Sequence, residues 1–226
     1  MTLLASACGG GNSAPQSVMV DATPTPQQVS QTDLANMVLT LSDLAAPYAA
    51  FVLDPAASGP QTRDNVIKNV CDPQRQASEL DATGWVAQYN NEFGPATGGS
   101  PASDGTFLVT SGVDLFQDDS GAATAFQNTV TETLQWANTS CKGLNISVVQ
   151  KFDFPTIGDE SWGSNVSFTV PGGNPNQSGI VTTVISRRGR VIVNESLVRF
   201  GGFGLPDEAV RLARLIIQRM SGSPNL

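Results

Sequence analysis

The sequence predicts an α+β fold: an antiparallel sheet of about six strands with helices packed on one face. Three observations carry that expectation. Apolar residues alternate with period two in six segments between Trp85 and Phe200. The last four segments follow one another across short turns, as antiparallel strands do. Stripes at helical spacing flank and interrupt the strands, giving the order helix, two strands, helix, four strands, helix.

The elements follow in chain order. Thr40 to Ala46 makes a short helical turn stopped by Pro47, and residues 62–82 suggest a helix broken at Asp72-Pro73, with Pro73 suited to a first helical position. Trp85, Ala87, Tyr89, Asn91 and Phe93 alternate as the inward face of one strand. After a Gly/Pro/Ser loop, Phe107, Val109, Val113 and Leu115 do the same in a second strand, which pairs with the first. The period then changes. Ala122, Phe126, Val130, Thr133, Leu134 and Ala137 form a helical stripe whose acidic entry, Asp118-Asp119-Ser120, suits a helix N-terminus. Strands are expected at Asn145–Phe152, around Trp162–Val170, at Ile180–Arg187 and at Arg190–Phe200, the last two joined across Arg188-Gly189. A final helix runs from Pro206 to about Met220, with Val210, Ala213, Ile217 and Met220 inward and Asp207 and Glu208 at its positive end.

Composition narrows the function. Of 226 residues, 40% are apolar and 14% charged, and 20 acids against 12 bases give a net charge of −8. Such a balance argues against a nucleic-acid partner, which calls for a concentrated basic face. Residues 1–141 hold 14 acids and 3 bases, and residues 142–226 hold 6 acids and 9 bases, so the second half is mildly basic. The chain has no histidine, which excludes Ser-His-Asp and Cys-His catalysis and His metal ligands. No metal or redox cofactor is expected.

The chain opens Met1-Thr2-Leu3-Leu4-Ala5-Ser6-Ala7-Cys8-Gly9-Gly10-Gly11. Residues 3–8 resemble the lipobox of bacterial lipoproteins. The family's leucine falls at the third place before the cysteine; here Ala5 holds that place and Leu4 the fourth. The resemblance implies cleavage before Cys8, a diacylglycerol on its thiol, and a domain anchored to the cell membrane and facing the outside or periplasm. Only seven residues precede Cys8, none of them basic, so the expectation is a start codon placed too far downstream. Residues 1–8 then read as the remnant of a signal, 9–32 as a Pro/Gly-rich disordered tether, and 33–226 as a single α+β domain. With Cys8 assigned to lipid, Cys71 and Cys141 remain. An even remainder in a secreted chain points to a disulfide, worth about 4 kcal/mol in the chain-entropy model, with two buried free thiols as the alternative.

Leu41-Ser42-Asp43-Leu44, Gly158-Asp159-Glu160-Ser161 and Arg187-Arg188-Gly189-Arg190 before a strand resemble a group of poorly characterised bacterial lipoproteins. Their extracytoplasmic domain is similar to the sensor domain of certain mycobacterial Ser/Thr kinases and to PsbP-like domains. The resemblance spans roughly residues 38–220 and implies binding or sensing. That kinase domain carries two disulfides, whereas this chain can make one.

Candidates for chemistry are few. Asp114, Asp118 and Asp119 are close in sequence, but Asp118-Asp119-Ser120-Gly121 lacks the calcium-loop spacing and reads as a helix cap. Asp159 and Glu160 are adjacent at a strand entry and read as a turn before an acid/base pair. In the register set by Arg188-Gly189, Glu195 faces Thr182 among Val184, Val193, Ile180 and Leu197. It either has a raised pKa and marks a site, or lies on the solvent side near the strand ends, which is the preferred reading. No Lys stands in a Ser-x-x-Lys arrangement, and Gly201-Gly202-Phe203-Gly204 reads as a linker turn. Arg187, Arg188 and Arg190 around one turn are the candidate for gripping carboxylates or phosphates on a partner or lipid headgroup.

The expected function is a non-catalytic domain that binds or senses a partner or small ligand at the cell envelope. The alternatives are a carrier holding a hydrophobic molecule in a cavity between sheet and helices, and a hydrolase using paired carboxylates.

Overall fold

The computed structural model describes residues 29–172 and 178–221. Residues 3–8, which resemble a lipobox, and most of the expected tether at 9–32 lie outside the described residues. The helices are α1 (Gln31–Ala35), α2 (Arg63–Lys68), α3 (Pro73–Ala82), α4 (Asp119–Gln135) and α5 (Pro206–Ser221). The strands are β1 (Phe51–Leu53), β2 (Gly59–Gln61), β3 (Trp85–Pro95), β4 (Thr106–Phe116), β5 (Thr139–Cys141), β6 (Leu144–Phe152), β7 (Glu160–Thr169), β8 (Ser178–Arg188) and β9 (Val191–Phe200). They form one antiparallel sheet in the order β1-β3-β4-β9-β8-β7-β6-β5, with β2 also paired to β3.

The α+β class and the antiparallel sheet are as the sequence predicts. The six expected strands are the long ones, β3, β4 and β6 to β9. The additional β1, β2 and β5 have three residues each, too short to show a period.

The expectation of helices on one face is corrected. Neighbouring residues of a strand point to opposite faces, and here both faces are covered. Leu115, Val184 and Val191 pack in one cluster with Ala209, Leu212 and Ile216 of α5 and Leu34 of α1, whereas Phe116, Ile185 and Ile192 pack with Ala122 and Phe126 of α4. Long strands with apolar residues on both sides need two covering layers, and α3 and α4 supply the second.

The main core lies between the sheet and α5. Ala209, Val210, Leu212, Ala213, Ile216, Ile217 and Met220 are all buried, and each large side chain contributes about 2 kcal/mol on leaving water. Helix α1 starts ahead of residue 33, the boundary drawn from composition. Ser30 caps α1 through a reciprocal box with Asp33, and Leu34 sits in the core at 1% exposure.

Local signals are met closely elsewhere. Asp72 caps α3, with Pro73 in its first turn, and Asp118 caps α4 by accepting from the Gly121 amide at 2.8 Å. Gly121 itself lies against the Thr83 carbonyl, where a Cβ would collide.

Candidate functional site

The second layer does not close fully on the sheet. Phe126 of α4 packs on Phe116, Trp162, Ile185 and Ile192 and seals one end. Beyond it, the sheet carries Gly112, Asn194, Thr183 and Ser196 on the same face, side chains too small to reach the helices. The result is a cleft of about 500 Å³, roofed by α3 and α4, within the size range of small-molecule sites.

Its walls are mainly apolar: Leu80, Phe116, Phe168, Val181 and Ile185, together with Trp85, Trp136 and Trp162. These are all three tryptophans of the chain. Trp85 arrives there by a β-bulge. The pairing of β3 with β4 slips between Trp85 and Ala87, so Trp85 leaves the face it was expected to share with Phe93 and lies opposite Phe116, over the cleft. Ala87, Tyr89 and Phe93 stay with the main core.

Asp114 is the charged group on the cleft's sheet wall. It accepts from the Trp85 indole N–H at 2.9 Å and from the Gln88 amide at 3.2 Å, one donor per carboxylate oxygen. Both donors are neutral. Burial pushes its pKa up to about 6, and the two hydrogen bonds pull against that rise. Thr183 and Ser196 share a hydrogen bond of 2.8 Å on the same wall. On the roof, Arg75 pairs with both Glu79 and Glu132.

The Cys71–Cys141 disulfide borders the cleft, with Cα atoms 5.2 Å apart. It ties the segment entering α3 to the edge strand β5. The β5–β6 turn, Lys142-Gly143, has φ of +51° and +76°, the left-handed pair that a two-residue hairpin requires.

The residues singled out from sequence do not converge on this cleft. The hairpin turn is Gly189-Arg190 and not Arg188-Gly189, because Arg188 pairs with Val191 and Gly189 takes φ +54°. Glu195 therefore faces Val184, and Thr182 faces Leu197. The solvent-side reading of Glu195 is overturned: it is 0% exposed, because α5 covers that face. Its Oε1 accepts from Ser111 Oγ at 2.7 Å, and Ser111 Oγ accepts from the Leu39 amide at 2.9 Å. Oε2 has no hydrogen-bond partner. Burial holds the Glu195 pKa well above the carboxylate range, with Ser111 and Arg219 lowering it and Asp43 raising it.

Arg187 and Arg188 do not share a surface. Arg187 pairs with Glu160 at 2.8 Å on the α4 side and approaches Asp159 at 3.6 Å. Arg188 points to the other face and donates to Ser221 of α5. Arg190 stands in the turn. Asp159 and Glu160 serve as the turn reading expects: Asp159 accepts from the Gly189 amide at 2.7 Å, and Glu160 accepts from Gln127 of α4 at 2.7 Å.

Sequence reasoning missed Asp114, Gln88, Asn194 and Trp136 as cleft residues. A signal for Asp114 was present, an acid inside an apolar strand on the face shared with Gly112 and Phe116. Trp136 lies just past α4 as its C-cap, off the helical stripe.

A more open groove of about 550 Å³ lies between α5 and the β6–β7 connection, around Phe154, Val210, Arg211 and Arg214. Among the described residues, no group of three or more His, Cys, Asp or Glu side chains is placed to hold a metal ion, and no helix is long and apolar enough to cross a membrane.

No protein-family model matches the chain, and no curated protein matches it in sequence. A solved structure does match in fold, the extracellular domain of PknH from Mycobacterium tuberculosis. The TM-score is 0.55 at 14% identity, over 88% of this chain and 100% of that one. At that identity the likeness is one of fold, and it agrees with the resemblance drawn from the sequence to mycobacterial kinase domains. The α+β sheet that frames the cleft thus has the fold of that domain.

Proposed function

We propose that this protein is an extracytoplasmic binding or sensing domain, held at the membrane through Cys8, that takes a small, largely apolar ligand between its sheet and helices α3 and α4. The observation that carries this reading is the tryptophan-walled cleft with one partly buried carboxylate on its sheet wall. Nothing in normal packing calls for it, since the same span of sheet could have been filled by larger side chains at Thr183 and Ser196. The fold of an extracellular domain and the lipobox at residues 3–8 support the location. The arginine turn is a secondary contact for anionic partners, limited by the pairing of Arg187 with Glu160.

The test uses a neutral fluorescent aromatic probe, 1-aminoanthracene, and the variant Ala125→Phe, which adds a ring from α4 into the cleft. The probe is expected to enhance its emission and quench tryptophan in the parent, and to lose at least tenfold in affinity in the variant. Equal binding by both proteins, or none by the parent, refutes the cleft as the site. A carrier is the second reading and is favoured by the same cleft. Denaturing mass spectrometry of protein purified from its native host separates the two, because a carrier retains its cargo through purification.

A further inference from the structure

We infer that the cleft is built for an organic cation, an apolar body bearing an ammonium head that sits against Asp114. The inference rests on the cleft being the ligand site and adds the ligand's chemical class.

Three observations lead to it. First, the Asp114 carboxylate is set in an apolar wall with two neutral donors, Trp85 and Gln88, and among the described residues it belongs to no ion pair. A partly buried charge without a counter-charge costs stability, and a ligand of opposite charge would offset that cost. Second, the lining holds more acid than base. Asp114, Glu79 and Glu132 stand against Lys142, whose ammonium donates to the Lys68 carbonyl, and with both glutamates paired to Arg75 the acid left over is Asp114. Third, the walls carry three indoles and the rings of Phe116 and Phe168. Aromatic faces attract cations, and they do so more strongly where water is excluded. An anionic ligand would meet repulsion from Asp114, the acid of the lining that no ion pair among the described residues answers. A neutral ligand would leave the Asp114 charge uncompensated.

The charge on Asp114 stands apart from the ion pairs among the described residues, whereas Arg75 answers both Glu79 and Glu132. An ammonium group can reach the carboxylate lone pairs that Trp85 and Gln88 leave open, since each oxygen accepts from one of those donors and has capacity for another.

The experiment titrates the full chain at neutral pH with octylammonium, octanol and octanoate, which share a tail and differ in the head. Tryptophan fluorescence and calorimetry read the binding. Octylammonium is expected to bind at least tenfold more tightly than octanol, with octanoate weakest. In Asp114→Asn that preference collapses to less than threefold, while octanol affinity is kept. Octanol binding as well as octylammonium to the parent, with Ala125→Phe abolishing both, overturns the head-group assignment and leaves the cleft reading standing. No binding of any of the three overturns the inference together with that reading. The comparison of heads is made on the unaltered protein, so it stands even if Asp114→Asn folds poorly.

Discussion

Replacing Asp114 by Asn should stabilise the unliganded protein, and the gain should depend on pH in a defined way. Burial raises the Asp114 pKa from an ordinary 3.8 to about 6. A group with a raised folded pKa contributes its full stability below its unfolded value and loses it as pH rises through the folded value. Between roughly pH 4 and pH 6 the parent is therefore expected to weaken on this account. The shift corresponds to about 3 kcal/mol at about 1.4 kcal/mol per tenfold change in proton affinity. Water in the open cleft screens the charge, so the net figure is about 2 kcal/mol. Asn keeps one carbonyl oxygen to accept from the Trp85 indole, and Gln88 can turn its amide to accept from the new NH₂, so no polar group is orphaned. For a domain of this size such a gain raises Tm by about 4–8 °C. Thermal and urea unfolding of parent and variant from about pH 4 to 8 read the difference. It should be near zero at the acid end and level off above about pH 7. A variant that is less stable at neutral pH, or a difference flat across the range, would refute the account of Asp114 as an uncompensated, partly buried charge.

Further outcomes are expected elsewhere in the fold. Glu195→Gln should match the parent at about pH 4 and become progressively more stable than it as pH rises, because only the parent has a buried acid to ionise there; equal stability at every pH sinks this reading. Joint replacement of Cys71 and Cys141 by Ser should cost up to about 4 kcal/mol and speed hydrogen exchange in residues 63–82 more than in α5, and a uniform change across the molecule would show that the bond does not hold the α3 side of the cleft. Arg187→Gln should destabilise by about 1–2 kcal/mol, since it strands Glu160 in a partly buried pair, whereas Arg188→Gln should stay within about 0.5 kcal/mol; similar losses in both by urea unfolding would contradict the inequivalence of the two.

The sequence by itself determined the six long strands, the longer helices and the α+β class. Period-two alternation in β3, β4 and β6 to β9 and the helical stripes of α4 and α5 are local properties of the backbone. So are the caps at Asp72 and Asp118, where a side chain satisfies amides within three residues of itself. Counting cysteines pointed to a bridge between Cys71 and Cys141, with two free thiols as the alternative, and the structure has the disulfide.

What only the tertiary structure decided concerns residues whose role depends on distant neighbours. A bulge of one residue sends Trp85 to the opposite face from Ala87, and nothing in the alternation marks where a strand will slip. Moving the hairpin turn by one position shifts the partner of Glu195 by two, from Thr182 to Val184. Whether Glu195 meets water depends on α5, which follows it in the chain and lies across that face. The cleft itself arises from small side chains on three strands, Gly112, Asn194, Ser196 and Thr183, which lie far apart in sequence until β4, β9 and β8 pair. A period reports which side of its own strand a residue occupies. What stands above that side is set by the packing of the whole sheet.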